Sequence, residues 1–220
     1  HPPTQYNFSV ATIWNARMKT LVSVFPFLLL AGCGPDGEAQ QAFKPNSCEA
    51  VNAVLAAGEE SPPYASLRGE PKMLGDRPLD DAWMANSNAF GSSCDVNLMD
   101  GFFGSDISTY SCELFTASGS LDKESREAEA RKMTDSVRDT LQTCLGPEWV
   151  MEEDTENSDF EIYQKYVFEP ASGRPGADTF DFTVDPIYIE MSYTPFMRGR
   201  GGPSGWIAEI QFQQQREEQN

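Results

Sequence analysis

The chain of 220 residues carries 34 acidic against 16 basic side chains, a formal net charge of −18, and it is 40% hydrophobic and 11% aromatic. That apolar content can build a real core and excludes a wholly disordered chain. The charge repels phosphate backbones, which excludes nucleic acid as the main partner, and the single histidine, His1, leaves the body of the chain without the usual base of serine and cysteine nucleophiles.

In chain order, the first feature is an address. Met18-Lys19-Thr20 supplies a start and a positive charge, and Leu21 to Leu30 is an apolar run broken only by Ser23 and Pro26. The run is shorter than the roughly 20 residues a membrane span needs. A proline in its middle disfavours a buried helix. Leu30-Ala31-Gly32-Cys33-Gly34, directly after it, resembles the lipobox of bacterial lipoproteins. The resemblance implies that Cys33 takes a diacylglyceryl thioether, that cleavage falls before it, and that it becomes an acylated N-terminus. Residues 1–17 then lie upstream of the native protein, 18–32 are a signal peptide, and 33–46, rich in Gly, Pro, Gln and Ala, form the lipid anchor and a flexible tether. Gly34 after the cysteine, by analogy with enterobacterial sorting, points to the outer membrane, facing the periplasm. The expected partners are the membrane, through lipid on Cys33, and an envelope protein.

A single globular domain is expected over 47–214, followed by a polar tail at 215–220. Ser47 is suited to cap a short helix with Cys48, Val51, Val54 and Leu55 on one face, stopped by Gly58 and Pro62-Pro63. Tyr64 to Asn88 shows no clear period and reads as mostly loop, with a helical turn at Asp80 to Met84. Ser93 to Met99 and Ile107 to Phe115 read as two strands of a hairpin centred on Phe103. Such a hairpin sets Cys94 opposite Cys112 and leaves Cys48 for Cys144, two disulfides suited to an exported domain. A second helix follows, with Ser120 as cap, a stripe of Met133, Val137, Leu141, Cys144 and Leu145, and Gly146-Pro147 at its end. After an acidic stretch at Glu152 to Asp159, of which Glu152 to Glu156 reads as a solvated loop, the period changes to two. Phe160 to Phe168, Phe180 to Val184 and Trp206 to Phe212 read as strands, with Pro186 shifting the phase of Ile187, Ile189 and Met191. Together these predict an α+β fold: a mainly antiparallel sheet of about five strands with two helices on one face, and no internal repeat.

Motifs for chemistry are sparse. Gly202-Pro203-Ser204-Gly205-Trp206 lacks the last glycine and the following helix of a nucleophile elbow. No C-x₂-C spacing suggests zinc, and the Asp95-Asn97 pattern puts Met99 where an EF-hand needs an oxygen. No catalytic residue, cofactor or metal is therefore expected. The segment Ser192 to Gly205 sets Tyr193, Phe196, Arg198 and Arg200 in a Gly/Pro-rich loop and is a candidate interaction surface. The expectation is a lipid-anchored, non-enzymatic interaction module. The alternative is a carboxylate-dependent envelope hydrolase acting, for example, on glycans, which would need two convergent carboxylates in a cleft.

Overall fold

In the computed structural model, which describes residues 43–91, 93–119, 122–196 and 204–218, Ser47 caps the first helix. Its hydroxyl accepts from the Ala50 amide at 3.3 Å, and α1 (Cys48–Gly58) buries Ala50, Val51, Val54 and Ala57 on one face. The chain divides into two units, His1–Glu38 and Ala39–Asn220, and every described residue belongs to the second.

After α1 come β1 (Arg68–Leu74), β2 (Arg77–Ala85), β3 (Ser93–Phe102) and β4 (Ser105–Ser118), an antiparallel meander. The helix α2 (Lys123–Leu145) then carries the chain across the sheet to a second meander, β5 (Trp149–Asp154), β6 (Ile162–Pro170), β7 (Ile187–Thr194) and β8 (Gly205–Glu217). The strand order is β1-β2-β3-β4-β8-β7-β6-β5, with every neighbouring pair antiparallel. Each half is thus one helix followed by four strands, joined at β4 and β8. Sequence shows no repeat there, but the topology does.

The sheet has eight strands where about five were expected, and the extra ones come from stretches without a clean period. Tyr64 to Asn88 is not mostly loop: β1 and β2 form a ribbon at the sheet edge, exposed along much of both strands, so neither strand needs alternating apolar residues. The acidic run likewise begins inside a strand, since β5 includes Glu152, Glu153 and Asp154 and pairs only with β6. Both edges are blunted, β1 by Pro71 and β5 by charge. In the opposite direction, Phe180 to Val184 is not a strand but part of a long connection, 171–186, between β6 and β7. Pro186 falls just before β7 and not inside it. Gln215, Arg216 and Glu217, expected in the tail, belong to β8.

One face of the sheet carries the core. Trp206, Ala208, Ile210 and Phe212 of β8 alternate inward with Ile187, Ile189, Met191 and Tyr193 of β7, and they meet Cys94, Val96, Tyr110 and Cys112 of β3 and β4. Both helices lie on this face, because their buried residues join the same cluster. The stripe of α2 is Ala130, Thr134, Val137 and Leu141. Met133, assigned to it from sequence, is 43% exposed. Ser120, the expected cap, lies outside the described residues; the residue before α2 is Asp122 in the left-handed region, φ 54°. Cys48 is joined to Cys144, tying the start of α1 to the end of α2, and Cys94 is joined to Cys112 across the β3–β4 pair. Among the described residues no helix is long and apolar enough to cross a membrane.

Candidate binding groove on the open sheet face

With both helices on one face, the other face of the sheet presents the alternate side chains of the same strands. Register sets them in rows across the strands. Asn97, Thr109 and Gln213 are successive partners across β3, β4 and β8, and Ser111, Gln211 and Tyr188 are partners across β4, β8 and β7. Neighbouring strands are spaced by about 4.8 Å and successive same-face residues by roughly 6.7 Å. The centre of this face is therefore a grid of amides and hydroxyls. Along β8 the amides bond to one another. Gln211 Nε2 donates to Glu209 Oε1 at 2.7 Å, and Gln213 Nε2 donates to Gln211 Oε1 at 3.5 Å.

A roof turns the grid into a groove. The connection 171–186 folds back over the face and is held at two places. Gln215 Nε2 donates to the Phe182 carbonyl at 2.9 Å and to Ser105 Oγ at 2.8 Å, while its Oε1 accepts from the Val184 amide at 3.1 Å. The second hold is ionic. Lys165 Nζ lies 2.7 Å from Asp185, and Arg174 bonds both Asp185 at 2.7 Å and Glu169 at 2.6 Å. The bond to Glu169 leads the effects that raise the pKa of Arg174, followed by the charge of Asp185, against the cost of burial. All four groups are partly shielded, so two cations and two carboxylates neutralise each other inside the wall.

The groove between roof and floor has a volume of about 660 Å³. Its floor is Asn97, Thr109, Ser111, Gln211 and Gln213, with Met99 and Ile107 in the adjoining row; Phe102, Phe182 and Tyr188 supply aromatic surface. Phe182 packs edge-on to Phe102 at 5.9 Å, and Phe103, at the tip of the β3–β4 hairpin, packs edge-on to Phe102 at 4.7 Å. Tyr188 sits under the Lys165 ammonium at 4.2 Å from its ring centre. Burial, with Glu209, Glu190 and Asp185 near by, pushes its phenol pKa up, so the phenol stays protonated across the physiological range. Beyond the groove, Glu113, Glu209 and Glu190 form the next row across β4, β8 and β7, with Lys165 opposite Glu190 on β6. Asp185 is the one carboxylate among the described residues that line the groove. Among the described residues no group of three or more His, Cys, Asp or Glu is placed to hold a metal ion.

The residues expected from sequence fall elsewhere. Cys33 lies outside the described residues, as do Arg198 and Arg200. Tyr193 is not in a loop: it lies in β7, one residue before its end, at 2% exposure, 5.0 Å from the Trp206 ring and beneath the Lys123 ammonium, so it is core. Phe196, by contrast, is 77% exposed. The groove residues were not singled out from sequence. One signal was present: Gln211, Gln213 and Gln215 alternate along a single strand, so these outward positions are amides in a chain rich in acids. Compared with known protein families, curated proteins and solved structures, the chain shows no significant match.

Proposed function

We propose that this protein is a lipid-anchored component of a bacterial envelope whose folded domain is a binding module and not an enzyme. The observation that carries the binding reading is the roofed groove on the open face. Among the described residues its one lining carboxylate, Asp185, is held in ion pairs with Lys165 and Arg174, so it serves the wall as a counter-ion. The hydrolase alternative would draw on Glu209 and Glu190, which face each other across β8 and β7. Neither lines the groove, and Glu209 is already engaged by Gln211. The anchor rests on the lipobox-like Leu30-Ala31-Gly32-Cys33, and the two disulfides suit an oxidising compartment.

Intact mass of the membrane-extracted protein tests the anchor. A chain starting at Cys33, heavier by its acyl groups and lighter by four protons, is the expected product. Cys33→Ser should move the protein out of the envelope fraction, because a single weak membrane contact cannot replace two or three acyl chains. A Cys33→Ser variant that stays in the membrane fraction overturns the anchor. The domain's role is tested apart from it, by ligand binding to the groove.

A further inference from the structure

We infer that the groove on the open face binds a neutral, polyhydroxylated ligand, an uncharged oligosaccharide segment. This rests on the groove being a binding surface and is independent of lipid on Cys33. Four observations select the ligand class. The floor groups Asn97, Thr109, Ser111, Gln211 and Gln213 each both donate and accept hydrogen bonds, which matches a ligand whose own groups do both. Hydroxyls do so, whereas an aliphatic ligand would leave these dipoles desolvated and unmatched.

Charge excludes anions. The protein bears −18 overall, and the two cations of the groove, Lys165 and Arg174, are already paired with Asp185 and Glu169. Backbone geometry disfavours an extended peptide: β4 and β8 lie at the centre of the sheet with both edges hydrogen-bonded, so the floor offers no strand edge for a peptide to join. Aromatic surface is present where the C–H faces of sugar rings would pack. Phe182 is 47% exposed on the roof, held edge-on to Phe102 and pinned through its own carbonyl by Gln215.

A solvated sheet face needs no roof. Connections longer than about 12–15 residues without regular structure are functional or disordered, and this one is ordered by a hydrogen-bonded clamp and an ion-pair network. The volume of about 660 Å³ lies within the usual range of ligand sites, about 300–1,000 Å³.

The test uses the full chain in a detergent without a sugar headgroup. Maltotetraose, cellotetraose and tetra-N-acetylchitotetraose are titrated by calorimetry and saturation-transfer NMR, with tetragalacturonate as the anionic comparison. At least one neutral probe should bind, and Phe182→Ala and Gln211→Ala should each weaken it by about tenfold, equivalent to about 1.4 kcal/mol. Tetragalacturonate should bind more weakly than the best neutral probe. Thermal melts of both variants report folding, and because Phe182 is half exposed the Phe182→Ala melt should lie close to that of the parent. No binding by any neutral probe, tighter binding of the anionic one, or binding unchanged in both variants overturns the inference. Release of new reducing ends that Glu209→Gln abolishes would overturn the non-enzymatic reading while leaving the ligand class standing. Membrane partitioning is unaffected by any of these outcomes.

Discussion

Replacing Cys48 and Cys144 together by alanine opens the larger of the two covalent loops and exposes how much of the fold depends on it. The bridged residues are 96 positions apart, against 18 for Cys94 and Cys112. In the chain-entropy account, a loop of that length restricts the unfolded ensemble by about 4.7 kcal/mol at 25 °C, and the short one by about 3 kcal/mol. Little native packing is lost with the first pair, because Cys48 is exposed and Cys144 half-buried. The fully buried Val51 and Val54 still hold α1 on the sheet, so the folded state should survive. Urea unfolding followed by tryptophan fluorescence should show a midpoint lowered by about 2 M, taking a slope of roughly 2 kcal/mol per M. The slope itself should rise, because the opened chain expands further when unfolded. Cys94→Ala with Cys112→Ala is the comparison: both residues are 1% exposed, so a void adds to the smaller loop term, but the slope should change less. A loss below about 1 kcal/mol for the Cys48 and Cys144 pair, with an unchanged slope, would refute the argument that this bridge acts on the unfolded chain.

Three further outcomes follow from single contacts. Tyr110→Phe removes a phenol that donates to the Ser87 carbonyl at 2.9 Å and accepts from the Ala89 amide at 3.0 Å; losing both should cost about 1–3 kcal/mol in denaturant melts. Burial pushes the Tyr110 pKa up to about 12 from 10.0, its hydrogen bonds only partly opposing this. The unfolded state therefore gains by ionising first, and the parent should lose stability as pH rises from about 10 to about 12, a loss that Tyr110→Phe reduces in an alkaline melt series. Gly205→Ala should cost several kcal/mol, because φ is +105° and the added Cβ would lie 2.1 Å from the Ala117 carbonyl oxygen; a melt within about 1 kcal/mol of the parent would contradict this close approach of β8 to β4.

Where the sequence was legible, one physical pattern dominated the local choice. The Ser47 cap and the Cys94–Cys112 pairing could be read because a hydroxyl before an apolar face and a glycine-rich turn centred on Phe103 each permit few alternatives; the turn itself is Phe103-Gly104, which alone would set Cys94 opposite Glu113, and the register shift between Met99 and Phe102 restores Cys112. The two turn residues take φ of 49° and 78°, which suits a two-residue hairpin loop. The edge ribbon was missed for the opposite reason: β1 and β2 bury little, so burial imposes no period on Arg68–Leu74 or Arg77–Ala85. Phe180, Phe182 and Val184 alternate like a strand, yet Phe182 is exposed on the roof and the Val184 amide is satisfied by a glutamine side chain. Alternation shows that two sides differ; it does not show that both belong to a sheet. The groove was illegible because it depends on register between strands far apart in sequence, as Asn97, Thr109 and Gln213 show.

The roof connection can be removed to ask what it is for. A hairpin between β6 and β7 could close in two residues, as β3 and β4 do through Phe103-Gly104, whereas 171–186 takes a long excursion. Replacing 171–184 by Asn-Gly, joined to Asp185, loses the Gln215 bonds to Phe182 and Val184 and the Arg174 ion pairs. Each of these partly exposed bonds is worth at most about 1 kcal/mol net and each half-exposed pair about 0.5 kcal/mol. Shortening the loop about fourfold returns roughly 1.2 kcal/mol of closure entropy. The balance is a loss of at most about 2 kcal/mol, so the shortened chain should fold, with its urea midpoint lowered by no more than about 1 M, while tetrasaccharide binding disappears. A chain that fails to fold would show that the roof serves stability. Undiminished binding would remove the roof from the site and leave the amide grid alone responsible. The expected combination, folding retained and binding lost, would mean that this segment is ordered chiefly for the bound ligand and only slightly for the sheet beneath it.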